Sequence, residues 1–256
     1  MIAPIRALLR FMVLFLGFTL SSLIVALIYL FSRHAGVRSF SHIMQTIRYL
    51  IGVRTEVVGN MPNSATFILL NHPGYFDLFY LNTMHPFKLV AAKEFKYFPV
   101  LGWLAWSMKT IFIDRKDPDL RHTIRNRCVE AYKDDYGVFV AVEGKTSGSN
   151  VVHPVKPGMF KEAVVNQIPV TFMGLYFKEA RATYFHDLAP TFVKDAMTDL
   201  WNNLKHRRTN VLVAYSEPTV YDSVEQCIKD FYAFLEGHFG KYSDFAILDE
   251  RFDWRT

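Results

Sequence analysis

Thr66-Phe67-Ile68-Leu69-Leu70-Asn71-His72-Pro73-Gly74-Tyr75-Phe76-Asp77 decides how this chain is read. It opens with a short apolar run, the pattern of a strand covered on both faces of a sheet. Pro73-Gly74 then breaks the run into a turn. A strand ending this way carries the His72 imidazole and the Asp77 carboxylate to one exposed lip of the sheet. A histidine held by a carboxylate can take a proton from a hydroxyl near neutral pH. The spacing by itself is weak evidence of chemistry. With nine His and 24 acidic residues in 256, about one acid five positions after a His arises by chance. The plainer reading is a turn-capping histidine and an aspartate that opens the next helix.

Outward from that stretch, apolar runs alternate with helical periodicity. Strands are predicted at Thr55–Val58, Thr66–Leu70, Lys88–Ala91, Thr110–Ile113, Val138–Val142, Pro169–Phe177 and Val211–Tyr215. Helices are predicted at Asp77–Met84, Phe98–Ser107, Asp119–Asp134, Met159–Val165, Phe192–Lys205 and Ser223–Phe239, with Asp119 and Ser223 placed as N-caps. The alternation predicts an α/β fold: a mixed, largely parallel sheet flanked by helices.

The N-terminus is different. Phe11 to Phe31 is uncharged, long enough to cross a hydrocarbon core of roughly 30 Å at about 1.5 Å per residue. A cleaved signal peptide has a shorter apolar region and a small-residue cleavage site, whereas Arg33 and His34 follow here. A soluble core helix is rarely apolar all round. A membrane-anchoring helix is therefore expected, either spanning or dipping into one leaflet. Arg6 and Arg10 before it and Arg33 and Arg38 after it leave its orientation open. Ser39–Ile51 reads as an amphipathic helix, with Ile43, Ile47, Leu50 and Ile51 at helical spacing. Residues 1–50 are thus expected to form the membrane anchor and amphipathic helix, and residues 51–256 the catalytic domain.

The chain is 51% hydrophobic and carries a net charge of +5. Such a balance points to nucleic acid, an anionic membrane surface or an anionic substrate. No long Lys/Arg run and no nucleic-acid signature is present, so no nucleic-acid partner is expected. Cys128 and Cys227 have no CxxC partner, which argues against a structural zinc site and a disulfide framework.

Three further segments fall at strand ends or strands, where α/β sheets place their sites. After Phe112-Ile113-Asp114 come Arg115 and Lys116, and an Arg fork suits phosphate; a surface Asp114–Arg115 pair is the plainer reading. After Val142 come Glu143, Gly144, Lys145, Thr146 and Ser147, which offer a charge and donors to an anionic or polyhydroxyl ligand. The GxxxxGK[ST] spacing of a P-loop is absent, and an ordinary polar turn is the plainer reading. Ile168-Pro169-Val170 is core strand without chemistry of its own.

Together these blocks resemble the glycerolipid acyltransferases, the 1-acylglycerol-3-phosphate acyltransferases and related lysophospholipid acyltransferases. Asn71, His72 and Asp77 match the first block of that family, Phe112 to Arg115 the second, Glu143, Gly144 and Ser147 the third, and Ile168 to Val170 the fourth. Ala92-Lys93-Glu94, Phe98 to Trp103, and Lys156-Pro157-Gly158-Met159-Phe160 also look like the family. Lys145 stands where Thr is usual and Thr146 where Arg often stands. This hydroxyl-rich version resembles some lyso-ornithine-lipid acyltransferases and leaves the acceptor head group open.

The resemblance implies His72 as general base on a lysolipid hydroxyl, with Asp77 holding its tautomer. The acyl donor is acyl-CoA or acyl-carrier protein as co-substrate, with no cofactor and no metal. Arg115 and Lys116 bind the acceptor's anionic group, and Glu143, Gly144, Lys145, Thr146 and Ser147 line the acceptor side. The partners implied are a membrane lipid and the thioester donor, with the catalytic domain facing the cytosol. Trp103 and Trp106 lie at the membrane interface or pack in the core. A lipid hydrolase and a non-catalytic lipid-binding protein remain as rival readings.

Overall fold

Phe67 and Leu69 point into one core of the protein, and Ile68 and Leu70 point into another. All four are buried, so this strand has no solvent face, as its unbroken apolar run requires. The computed structural model describes residues 2–74, 77–80, 85–97, 101–114, 120–178 and 192–248.

Seven strands build the main sheet: β1 (Val53–Val58), β2 (Phe67–Leu70), β3 (Phe87–Ala92), β4 (Ile111–Ile113), β5 (Gly137–Ala141), β7 (Val170–Phe177) and β8 (Thr209–Tyr215), in the order β1-β8-β7-β2-β5-β3-β4. All seven strands expected from the sequence form. Neighbours are parallel except β7 and β8, whose antiparallel register pairs Met173 with Tyr215 and Phe177 with Val211. The sheet is mixed and largely parallel, as expected. A small parallel ribbon of β6 (Val151–Val152) and β9 (Ala246–Ile247) stands apart from it.

Helices cover both faces. α4 (Leu120–Lys133), α5 (Gly158–Val165) and α7 (Val224–Phe239) bury Cys128, Phe160, Phe231 and Leu235 against Phe67, Val138, Val170 and Phe172. α1 (Ile2–Phe31), α2 (Arg33–Leu50) and α6 (Phe192–Lys205) bury Phe18, Met44 and Leu204 against Ile68, Phe139, Met173 and Val213. Each fully buried side chain of this size contributes about 1.5–3 kcal/mol of transfer free energy. α3 (Leu101–Ser107) precedes β4 and packs beside α1. Ser223 caps α7 as expected, its Oγ accepting the Gln226 N–H at 3.3 Å.

The N-terminal helices differ from a free-standing anchor. α1 is long and apolar enough to cross a membrane, yet one of its faces is packed. Ala7, Leu14, Phe18, Ser21, Ser22 and Val25 are buried, while Leu8, Phe15, Leu16, Leu23 and Leu27 are exposed. Arg10 donates to the carbonyls of Leu204, His206 and Arg207, and Arg6 to that of Lys205. These carbonyls lie at and just beyond the C-terminus of α6, where a cation is favoured. α2 begins earlier than its periodicity indicates, because Ser32 caps it by accepting the Ala35 N–H. Buried side chains of α1 and α2 therefore belong to the core on one face of the sheet.

The helix expected over Asp77–Met84 is described only as a 3-10 turn at Asp77–Tyr80; positions 81–84 lie outside the described residues. So do 98–100 of the next predicted helix, and the Asp119 cap.

Candidate active site

β2 and β5 run in parallel, with Leu70 beside Ala141, so the segments that leave them emerge at the same end of the sheet. From β2 come Asn71 and His72; from β5 come Val142, Glu143 and Gly144. Asn71 is buried and completes the strand pattern with its side chain. Its Nδ2 donates to the Leu175 carbonyl at 2.9 Å and its Oδ1 accepts the Leu175 N–H at 2.8 Å.

His72 Nδ1 lies 2.7 Å from Asp77 Oδ2. The His72 side chain is 20% exposed, the Asp77 side chain 4%. The Pro73-Gly74 turn makes this approach possible, and the Gly74 N–H also donates to Asp77 Oδ2 at 3.3 Å. That N–H thus serves the carboxylate. Burial pushes the Asp77 carboxyl above its ordinary range, and the bond to His72 pulls it the other way. With Nδ1 engaged, Nε2 is the ring nitrogen that can take a proton.

The second segment grips the backbone of His72 from both sides. Glu143 Oε1 accepts the His72 N–H at 2.7 Å, and the Ser147 N–H donates to the His72 carbonyl at 2.8 Å. Glu143 Oε2 accepts the His153 N–H at 2.8 Å. Both oxygens of this buried carboxylate thus serve backbone donors, whereas the sequence reading placed Glu143 against the acceptor. Burial pushes its carboxyl up to about 7, against the pull of the two N–H groups. Ser147 is buried in the same way, its Oγ donating to the Ser149 carbonyl at 2.8 Å.

Gly144 has φ +73, a conformation open to glycine. A Cβ there would stand 3.0 Å from Lys156 Nζ, so this ammonium lies directly over the turn. Lys145 and Thr146 are half-buried in the same turn. Arg115 and Lys116 lie outside the described residues. Their neighbour Asp114 is ion-paired with Lys93, which raises the Lys93 pKa. Trp103 and Trp106 are 67% and 78% exposed, so neither packs in the core.

His34, His85 and Asp135 also bring ligand-type atoms within 4.8 Å of one another, on the α2 side of the protein. There the Arg33 guanidinium already bonds Asp135 at 3.2 Å, and Arg33 and Lys88 both stand over the Tyr136 ring. This concentration of positive charge works against a metal cation.

The profile of the family described as Acyltransferase matches residues 53–174, which span both segments of this site. Residues 53–174 are thus similar to that family. Among similar proteins, a 1-acyl-sn-glycerol-3-phosphate acyltransferase of Helicobacter pylori is 27% identical over 157 residues, 60% of this chain and 65% of that protein. A lyso-ornithine lipid O-acyltransferase of Rhodobacter capsulatus is 28% identical over 111 residues, 43% of this chain and 40% of that protein. The chain therefore matches less than two thirds of the length of either relative. The crystal structure of the 1-acyl-sn-glycerophosphate acyltransferase from Thermotoga maritima superposes with a TM-score of 0.57 at 17% identity, covering 88% of this chain and 94% of that one. The resemblance carried by the four sequence blocks is borne out, and so is the acyltransferase fold.

Asn150 and Asp244, which the sequence reading left without a role, also join the surroundings of this site. Their bonds link positions 94 residues apart, and no local pattern announces them.

Proposed function

We propose that this protein is an O-acyltransferase that moves a fatty acyl group from a thioester donor, acyl-CoA or acyl-carrier protein, to the free hydroxyl of a lysolipid. The observation that carries this reading is the His72–Asp77 pair at 2.7 Å, within the residues similar to the acyltransferase family. His72 Nε2 takes the proton of the acceptor hydroxyl as its oxygen forms a bond to the thioester carbon. The C–S bond then breaks, and the imidazolium returns the proton to the leaving sulfur. Asp77 fixes the tautomer and balances the charge on the ring, and base catalysis of this kind contributes about 10²- to 10⁴-fold. The thioester supplies the leaving group, so the scheme needs no covalent acyl-enzyme and no metal.

The acceptor's anionic group is assigned to Arg115 and Lys116, with Lys145, Thr146 and Ser147 on the acceptor side. Glu143 and Gly144 shape that side through the His72 backbone and the tight turn. The exposed apolar face of α1, with Trp103 and Trp106 on the neighbouring α3, supports residence on a membrane. A thioester donor places the catalytic face toward the cytosol.

A panel of lysolipids, including 1-acylglycerol-3-phosphate and lyso-ornithine lipid, offered with one labelled acyl thioester tests this function. Diacylated product from at least one acceptor is expected. Free fatty acid without diacylated product indicates hydrolysis instead, and neither product indicates a lipid-binding protein.

A further inference from the structure

The segment Tyr242–Leu248 lies far from His72 in sequence, yet it is tied to the loop that holds His72. We infer that Asp244 is a positioning residue, fixing through Asn150 the loop whose Ser147 and Glu143 grip the backbone of His72. The inference rests on the acyl-transfer reading and adds a residue to it.

Asn150 is buried, and its side chain is fully used. Oδ1 accepts the Phe177 N–H at 3.0 Å, while Nδ2 donates to the Phe177 carbonyl at 2.8 Å and to Asp244 Oδ2 at 2.9 Å. An amide with all three of these bonds has one orientation. Removing Asp244 leaves a buried N–H without its acceptor, which weakens the hold on the amide and its loop while the two bonds to Phe177 remain. The other Asp244 oxygen accepts the Tyr176 hydroxyl, and the Tyr176 ring stacks on Tyr242 at 4.3 Å. The segment is thereby held to the sheet.

A second tie lies a few residues on. Val151 and Val152 pair with Ala246 and Ile247, and the Leu248 N–H donates to the Val152 carbonyl at 3.0 Å. The next residue, His153, donates its N–H to Glu143 Oε2. The segment 143–153 is thus held on one side by residues 242–248 and, on the other, holds both backbone polar groups of His72, the N–H through Glu143 and the carbonyl through Ser147. A shift of the base by about 1 Å can cost about 10²-fold in rate, so these ties bear on catalysis without any contact with substrate.

The test compares Asp244→Ala, Asn150→Ala and Tyr176→Phe in the full chain, by amide hydrogen exchange and by steady-state rates. Asp244→Ala and Asn150→Ala are expected to speed exchange across residues 143–150. They are also expected to lower kcat about tenfold while leaving both KM values within about twofold. The double variant should be no slower than either single one, because the two residues act on one path. Tyr176→Phe removes the other bond of Asp244 but keeps the ring on Tyr242 and spares Asn150, so its effects on exchange and kcat should be clearly smaller than those of Asp244→Ala. A general stabilising role predicts the opposite: Tyr176→Phe matching Asp244→Ala, or additive losses in the double variant. Either result, or unchanged exchange across 143–150, overturns the inference. Exchange needs no turnover, so it fails or succeeds independently of the acyl-transfer reading. Should Asp244→Ala not fold, Asp244→Leu, which keeps most of the volume but has no acceptor, is judged by the same criteria.

Discussion

Glu143 Oε1 accepts the backbone N–H of His72 at 2.7 Å, while its other oxygen takes the N–H of His153. A glutamine there has one acceptor oxygen and turns an N–H₂ toward one of the two donors. Glu143→Gln is therefore expected to displace His72 and lower kcat by about tenfold, with KM for the acceptor changed much less. Initial rates over a range of both substrates check this. A selective rise in acceptor KM instead indicates direct acceptor contact by Glu143.

The same carboxyl gives a dependence of stability on pH. Burial raises its folded pKa to about 7, above the ordinary value for an unfolded chain, about 4.3. The folded state therefore holds this proton more tightly. Its contribution is fully present below the unfolded pKa and is lost as pH rises through about 7. Asp77, whose pKa is also raised by burial, acts in the same direction. Denaturant melts of wild type and Glu143→Gln from about pH 4 to pH 8 should show wild type losing stability relative to the variant as pH rises. A constant difference between the two contradicts the assignment.

Seven strands were legible because each falls on a short stretch rich in apolar or β-branched residues beside a turn. β6 and β9 were not, because two-residue strands carry no periodicity and their pairing is long-range. The His72–Asp77 approach was legible, since both residues flank one Pro-Gly turn. The role of Glu143 was not: its partners lie 71 and 10 positions away and are backbone groups, which leave no mark on residue identity. The packing of α1 was also hidden. Its exposed face is apolar and its buried face largely so, with Ser21 and Ser22 among the buried residues, so hydropathy does not separate the side that meets the protein from the side that does not.

Trp103 and Trp106 are exposed on α3 beside α1. Trp103→Ala and Trp106→Ala are expected to change folding stability by less than about 0.5 kcal/mol, as exposed substitutions do. Withdrawing each ring from water is worth about 1.5–3 kcal/mol. Loss of both should therefore weaken binding to lipid vesicles by at least about tenfold, measured by co-sedimentation. Unchanged vesicle binding removes these side chains from the membrane face.

Arg115 follows the strand end at Asp114, and its guanidinium fork suits a phosphate or carboxylate. Arg115→Ala should raise KM for an anionic lysolipid by about 10-fold or more, the loss expected for a charge-assisted hydrogen bond, while KM for the thioester changes little. Equal effects on both substrates, measured in the same initial-rate experiment, count against this role.

The most direct measurement is transfer of a labelled acyl group from its thioester to a lysolipid by wild type, Asp77→Asn and His72→Ala, each confirmed as folded. A paired imidazole acting as base predicts that His72→Ala loses about 10²- to 10⁴-fold in kcat with lysolipid binding retained, and that Asp77→Asn loses a smaller factor. Transfer at the wild-type rate by His72→Ala contradicts the account at its centre.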